Sequence, residues 1–451
     1  MRVGFRRRVA SVALCWLAAA CSTPPESAPV AEAVPAEQAC PAGLPEGSRC
    51  FGGRDSAGAF YVIARPREWN GVLVLHAHGG PSLGAPRLER TIEDLQRWAI
   101  FVRAGYAWAG SSFRQGGVAV TAAAEDTERL RRIALQMPGL QPRRTILHGQ
   151  SWGAGVAARA AELYGAPASG ARPYDAVLLT SGVLGGGSRS YDFRLDLRVV
   201  YQQLCNNHPR PDEPAYPLWM GLPAGATLTQ AQLAVRINEC LALDRPAAQR
   251  TREQQARVET IERVIRIPER SILGHLNWAT WHFQDIVQRR TGGGNPFSNE
   301  GVRYAGSADD AALNAAVPRY RADAAALQRF AADADPSGRI AVPVLSVRGI
   351  DDPIAFVELD SVFGDTMRAA GAGERLLQTF TAHAEHSYLA DPVYPALAAA
   401  LLEWAASGRR PSADAVAERC RAFEASYGPG CRFLPAYRPA PLETRVPARL
   451  K

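Results

Sequence analysis

Residues Thr145–Gly155, TILHGQSWGAG, set a serine between two glycines at the end of a short apolar run. Ile146 and Leu147 have strand character, whereas the Ala-rich segment Ala154–Leu163 that follows has helix-forming composition. The order is therefore strand, sharp turn, helix. In that context Gly149-Gln150-Ser151-Trp152-Gly153 carries a mechanism. The glycines let the backbone crowd, Ser151 sits at the tip of the turn, and its hydroxyl projects from the sheet at a helix start. Ser151 is a candidate nucleophile, and the rest of the chain must supply its partners.

Working outward, Phe60–Ala64 (FYVIA) and Val72–His76 (VLVLH) are short β-rich runs joined by a turn-rich connector. Leu88–Val102 has helical spacing, Tyr106–Gly110 predicts a strand, Ala122–Met137 a helix and Val177–Thr180 another strand. Strands alternating with helices at this pitch predict an α/β architecture, a mostly parallel sheet flanked by helices. The rhythm breaks at the Gly-rich segment 182–187. Residues 189–339 read as a largely helical cap insertion, with helices over Gln230–Leu243 and Arg252–Val264 and an aromatic cluster at Asn277–Phe283 (NWATWHF). Strand character resumes at Ile340–Val347. A helix follows at Ala355–Ala370, a strand at Leu376–Thr381, and helices at Pro395–Ala406 and Ser412–Ala425. The core is thus expected over 40–188 and 340–434, and the Pro-rich segment 435–451 as an extended tail on the surface.

The chain has 451 residues and a formal net charge of +7, yet its only lysine is Lys451. No basic run exceeds Arg6-Arg7-Arg8 and acidic residues are interspersed, so there is no nucleic-acid footprint. The first residues, MRVGFRRRVASVALCWLAAAC, combine a basic start, an apolar run from Val9 to Ala20 and small residues before Cys21. That run is too short for a permanent membrane span and reads as a signal peptide over 1–21. Ala18-Ala19-Ala20-Cys21 also resembles a bacterial lipoprotein cleavage box, with Ala18 where Leu is usual. Ser22–Gln38, rich in Pro, Ala and Glu, reads as part of a tether over 22–39. Of eight cysteines, the signal peptide removes Cys15 and lipidation would consume Cys21. The remaining six fall into local couples, Cys40/Cys50, Cys205/Cys240 and Cys420/Cys431, a pattern that suits an oxidising compartment although spacing alone does not establish pairing. The expected location is the bacterial cell envelope with a lipid anchor as the sole membrane contact, or alternatively soluble export.

A serine hydroxyl needs a base to take its proton, and the base needs a carboxylate to fix its tautomer. Gly349-Ile350-Asp351-Asp352-Pro353 ends a strand, and Asp352 is favoured over Asp351 as the acid. Thr379–Leu389, TFTAHAEHSYL, offers His386, favoured over His383, which reads as a solvated loop residue. Neither spacing suggests a metal site, and a triad of this kind implies no cofactor. His78-Gly79-Gly80-Pro81 follows the strand Val72–His76. Its N–H groups near Gly79 or Gly80, with that of Trp152, can form an oxyanion hole.

The ordered set HGGP, GQSWG, GIDDP and AEHSY resembles the α/β-hydrolase family over about Tyr61–Trp404, with the insertion in the usual cap position. The resemblance implies Ser151 as nucleophile, Asp352 as acid and His386 as base. Glu385 departs from the family pattern, which commonly has Gly before the histidine. HGGP and Trp152 also look like the proline iminopeptidase branch, which anchors a free amino terminus on cap carboxylates; Glu253, Glu259 and Glu262 are candidates, on a charged and exposed helix. Ala109–Arg114 (AGSSFR) resembles secreted esterase-like members instead. Trp278, Trp281 and Phe283, with Trp152, could line an apolar substrate pocket or simply seat the cap. The expectation is hydrolysis of a small-molecule ester, with a short peptide substrate as the alternative and a catalytically silent binding lipoprotein as a third.

Overall fold

The six residues of Val72–Ala77 (strand β4) are buried on both faces, as a central parallel strand requires. In the computed structural model, which describes residues 1, 4, 32–166 and 172–450, β4 lies within a nine-stranded sheet. The other strands are β1 (Ala36–Gln38), β2 (Arg49–Arg54), β3 (Phe60–Arg65), β5 (Ala107–Ser111), β6 (Arg144–Gln150), β7 (Ala176–Thr180), β8 (Val344–Gly349) and β9 (Leu376–Thr381). Their spatial order is β1-β2-β3-β5-β4-β6-β7-β8-β9, antiparallel from β1 to β5 and parallel from β5 to β9. This is the α/β-hydrolase fold. Nearly all of the expected signal peptide, Cys21, where lipidation is expected, and most of the tether lie outside the described residues.

Apolar side chains fill both faces of the sheet. One core gathers α1 (Leu88–Arg97), α2 (Ala99–Arg103), α14 (Val393–Ser407) and α15 (Ala413–Tyr427); the other gathers α3 (Val120–Leu135), α4 (Trp152–Tyr164), α13 (Leu359–Ala369) and much of the cap. Between β7 and β8 the chain forms α5 (Gly187–Ser190), α6 (Asp192–Cys205), α7 (Gln230–Leu241), α8 (Arg252–Ile265), α9 (Ile272–Asn277), α10 (Phe283–Asp285), α11 (Asp310–Ala316) and α12 (Ala324–Ala334). Thr229 and Thr251 start α7 and α8 with reciprocal capping boxes to Gln232 and Gln254. Disulfides join Cys40–Cys50, Cys205–Cys240 and Cys420–Cys431. Among the described residues no helix is long and apolar enough to cross a membrane.

Several local expectations are corrected. The helix expected over Leu88–Val102 breaks at Trp98, whose φ of −103° and ψ of 18° separate α1 from α2. Strand β8 starts at Val344 because Pro343 has no N–H to donate. Helix α13 starts at Leu359, because residues 354–355 turn to donate their N–H groups to Asp352. Strand β2 (RCFGGR) has poor strand composition. Side-chain atoms of Tyr61 occupy the space a Cβ at Gly53 would take, and Gln38 and the Tyr61 carbonyl crowd Gly52. The stretch read as tether ends in β1, paired with β2. The tail is not merely superficial: Leu442 and Val446 are buried, and the Arg449 side chain is 4 % exposed against Asp196.

Candidate active site

Ser151 follows β6 directly and precedes α4, with φ 56° and ψ −121°, a conformation that a side chain rarely adopts. The two flanking glycines are sterically required. A Cβ at Gly149 would lie 2.2 Å from the Gly153 carbonyl oxygen, and one at Gly153 would lie 2.2 Å from that of Ala77 and 2.4 Å from that of His78. Helix α4 therefore seats directly against the end of β4. The Ser151 N–H donates to Thr180 at 2.9 Å, fixing the turn to β7.

The His386 Nε2 lies 2.7 Å from Ser151 Oγ, and its Nδ1 lies 2.8 Å and 3.0 Å from the two Asp352 oxygens. The Asp352 side chain is fully buried beyond the end of β8, and its Oδ1 also accepts the N–H groups of Ile354 (2.9 Å) and Ala355 (3.0 Å). Buried Arg348 approaches Asp352 at 3.8 Å while it is held by Asp360 and by the carbonyls of Ala355 and Gly182. His275 Nε2–H donates to the Pro353 carbonyl at 2.9 Å, pinning the same loop to the cap. Burial, with Arg194 nearby, holds His275 far below the usual histidine range, so it stays neutral.

Asp351, by contrast, is exposed. His383 is not the solvated residue expected: it is 4 % exposed, and its main chain folds over Gly349, where a Cβ would meet the His383 carbonyl oxygen at 2.4 Å. Glu385 is exposed beside His386.

The HGGP loop caps the other side of Ser151. A Cβ at Gly79 would fall 2.2 Å from the Gln150 side-chain oxygen, and Gly80 has φ 145°. Arg90 of α1 donates to the Gly79 carbonyl at 2.9 Å, which anchors the loop. His78 packs on Phe113 at 4.3 Å and is pushed down to about 3 by burial and by Arg90. As the first residue of α4, Trp152 has an N–H with no intrahelical acceptor.

A cavity of about 300 Å³ lies over Ser151, lined in part by Gly79, Gly80, Trp152, Tyr191, Trp278 and His386. Larger concavities, of about 780 and 660 Å³, lie at α13 with the Pro435–Pro439 stretch and inside the cap, away from Ser151. Of the three aromatic residues expected in the pocket, Trp278 lines the cavity. Phe283 is instead fully buried on Phe297 at 4.0 Å, and Trp281 packs against the core. The reason is local: Trp278–His282 forms a π-helical turn, so successive side chains do not keep the spacing of an α-helical face. Glu253, Glu259 and Glu262 do not line the cavity; Glu253 pairs with Arg257, Glu259 with Arg263, and Glu262 accepts the Glu269 N–H. The sequence reading missed three arginines that do line it, Arg90, Arg97 and Arg194. A visible signal was the alternation Asp192-Phe-Arg194-Leu-Asp196-Leu-Arg198, charges threaded through an apolar helix.

No protein-family model and no curated protein matches the chain. Among solved structures it is similar to an esterase from Aspergillus oryzae, at 13% identity and a TM-score of 0.44 with 81% of each chain covered. It is also similar to the rice cell wall degrading esterase LipA from Xanthomonas oryzae, at 14% identity and 0.36 with 76% of this chain and 84% of that one covered. A third, puromycin hydrolase, gives 13% and 0.35, covering 82% of this chain and 40% of that one. At these values the likenesses carry no argument about chemistry, which rests on the residues of the site.

Proposed function

We propose that this chain is a serine hydrolase that cleaves carboxylic esters through an acyl-enzyme. The observation that carries the reading is the unbroken hydrogen-bond chain from Ser151 through His386 to Asp352, with Ser151 in a strained turn. In this reading Ser151 Oγ–H passes its proton to His386 Nε2 as the oxygen attacks the ester carbonyl. Asp352 fixes the Nδ1–H tautomer and stabilises the imidazolium that forms. The N–H groups of Trp152 and of Gly79 or Gly80 receive the oxyanion, a contribution of up to about 3–4 kcal/mol per donor. His386 then returns the proton to the departing alkoxide, and water repeats the sequence to release the acid.

The ester reading is preferred to an aminopeptidase because no carboxylate lines the cavity among the described residues. A free ammonium would meet arginines there. Export fits the three disulfides, which persist in oxidising compartments, and the reading includes a lipid anchor at Cys21. The test is turnover of a p-nitrophenyl ester series against amino-acid p-nitroanilides, for the wild type and Ser151→Ala. Esters should be turned over, with a loss of at least about 10⁴-fold in the variant. Preference for anilides would overturn the ester assignment in favour of the peptidase. Inactivity on both, without fluorophosphonate uptake, would favour a binding protein.

A further inference from the structure

Helix α6 lies over the cavity with Arg194 facing into its lining. The Arg194 residue is 4 % exposed, and it has no carboxylate within 4 Å among the described residues. Its hydrogen bonding is sparse for a group with five N–H donors. Among the described residues one bond is made, from Nη1 to the Ser190 carbonyl at 3.3 Å, and the buried Nε has no protein partner. Trp278, Phe193 and Tyr191 stack around the guanidinium at 4.4, 4.6 and 5.4 Å. Aromatic faces attract a cation but accept no in-plane hydrogen bond. One turn further on, buried Arg198 shares the unpartnered Nε among the described residues, yet its two Nη atoms bond to the His208 carbonyl at 2.7 Å and to the Tyr216 hydroxyl at 3.4 Å.

Other groups around the cavity have the same polarity. Among the described residues the buried Gln150 amide nitrogen and the Trp152 indole N–H both lack a protein acceptor, and both residues line the space. At the rim, exposed Arg97 donates to Ser387 at 2.6 Å and has no carboxylate partner among the described residues. Arg90 is the exception, lying 3.2 Å from Asp94. Burial, partly offset by Tyr191, lowers the Arg194 guanidinium to about 9, which leaves it protonated at neutral pH. A desolvated, under-bonded cation is costly in the empty protein and gains most from a bidentate anion.

Resting on the ester-hydrolase reading, we infer that Arg194 recognises a carboxylate on the substrate, so that the natural substrate is an acidic ester. The carboxylate belongs either to the acyl part, as in a half-ester of a dicarboxylic acid, or to the alcohol part. Arg97 adds long-range attraction at the mouth, and Trp278 holds the guanidinium plane in place.

Two matched pairs of esters separate these sources. Mono-p-nitrophenyl glutarate against p-nitrophenyl valerate places the charge on the acyl side. Butyrate esters of 4-hydroxybenzoate and of 4-hydroxybenzamide place it on the leaving group. The purified wild type should favour the charged member of one pair by on the order of 100-fold in kcat/KM, the size expected for a buried charge pair. Free glutarate or 4-hydroxybenzoate should inhibit competitively. Arg194→Met should bring that ratio close to one, and Arg194→Lys, which keeps charge without the fork, should fall between. Equal or reversed preference in both pairs by the wild type overturns the inference while leaving ester hydrolysis intact, and needs no variant. A ratio unchanged in a folded Arg194→Met also overturns it. If no ester is turned over and Ser151 takes up no fluorophosphonate, the ester reading fails and this inference fails with it.

Discussion

Replacing Arg449 by Met is expected to destabilise the protein by about 3–5 kcal/mol, the cost of leaving a buried carboxylate without its cation. Arg449 donates from Nη2 and Nη1 to the two Asp196 oxygens at 2.8 and 3.2 Å, and to the Ser298 carbonyl at 3.1 Å. Both side chains of the pair are 4 % exposed. Without Arg449, Asp196 would keep the Tyr304 hydroxyl at 2.9 Å as its remaining donor here. Asp196→Asn with Arg449→Met should cost much less than the sum of the single changes, giving a coupling of at least about 2 kcal/mol. Urea unfolding of the four proteins measures this, and 0.5 M NaCl should change the coupling little because the pair is shielded from solvent. A single-variant loss under about 1 kcal/mol, or a coupling that vanishes in salt as for an exposed pair, would refute the reasoning. The pair also fixes α6, the helix that carries Arg194.

Gly153→Ala should lower kcat on esters by about 100-fold, because its Cβ would overlap the Ala77 and His78 carbonyls and force the elbow from the oxyanion loop; an unchanged kcat would contradict this. Removing the Cys205–Cys240 bridge with serines should cost about 3–4 kcal/mol for a loop spanning 35 residues, seen as a lower urea midpoint, with an unmoved midpoint the contrary result. His78 and His148 are buried and held down to about 3, chiefly by desolvation. Between that value and an unfolded value of about 6.5 the unfolded chain binds more protons, so their stabilisation is complete above pH 6.5 and is lost as pH falls. At pH 5 the loss should reach about 2 kcal/mol for each; urea unfolding at pH 7.5 and pH 5 checks it, and a flat profile would count against it.

The parts legible in the sequence are those whose chemistry is local. Gly149 and Gly153 announce the elbow because both positions exclude a Cβ. Asp352 and His386 are open to reading as partners of Ser151 because each follows a strand end in chain order, and the structure brings the three within hydrogen-bond distance. What escaped depends on distant packing. His383 is written into a polar loop, yet it is buried because that loop folds over Gly349. Phe283 leaves the expected pocket face because five residues form a π turn. Arg194 and Arg449 look like ordinary surface charges until α6 is enclosed by the rest of the cap on one side and the tail on the other. Strand β2 was hidden by its two glycines, whose missing side chains are replaced by neighbouring ones.

The most direct test of the central claim is intact-mass analysis of the protein mixed with a p-nitrophenyl ester and quenched in acid within the first turnover, followed by peptide mapping. The account predicts one acyl group on the peptide containing Ser151, absent in Ser151→Ala and accumulating in His386→Gln only over much longer times. Rapid ester hydrolysis with no acyl adduct, or an adduct that persists in Ser151→Ala, would contradict it.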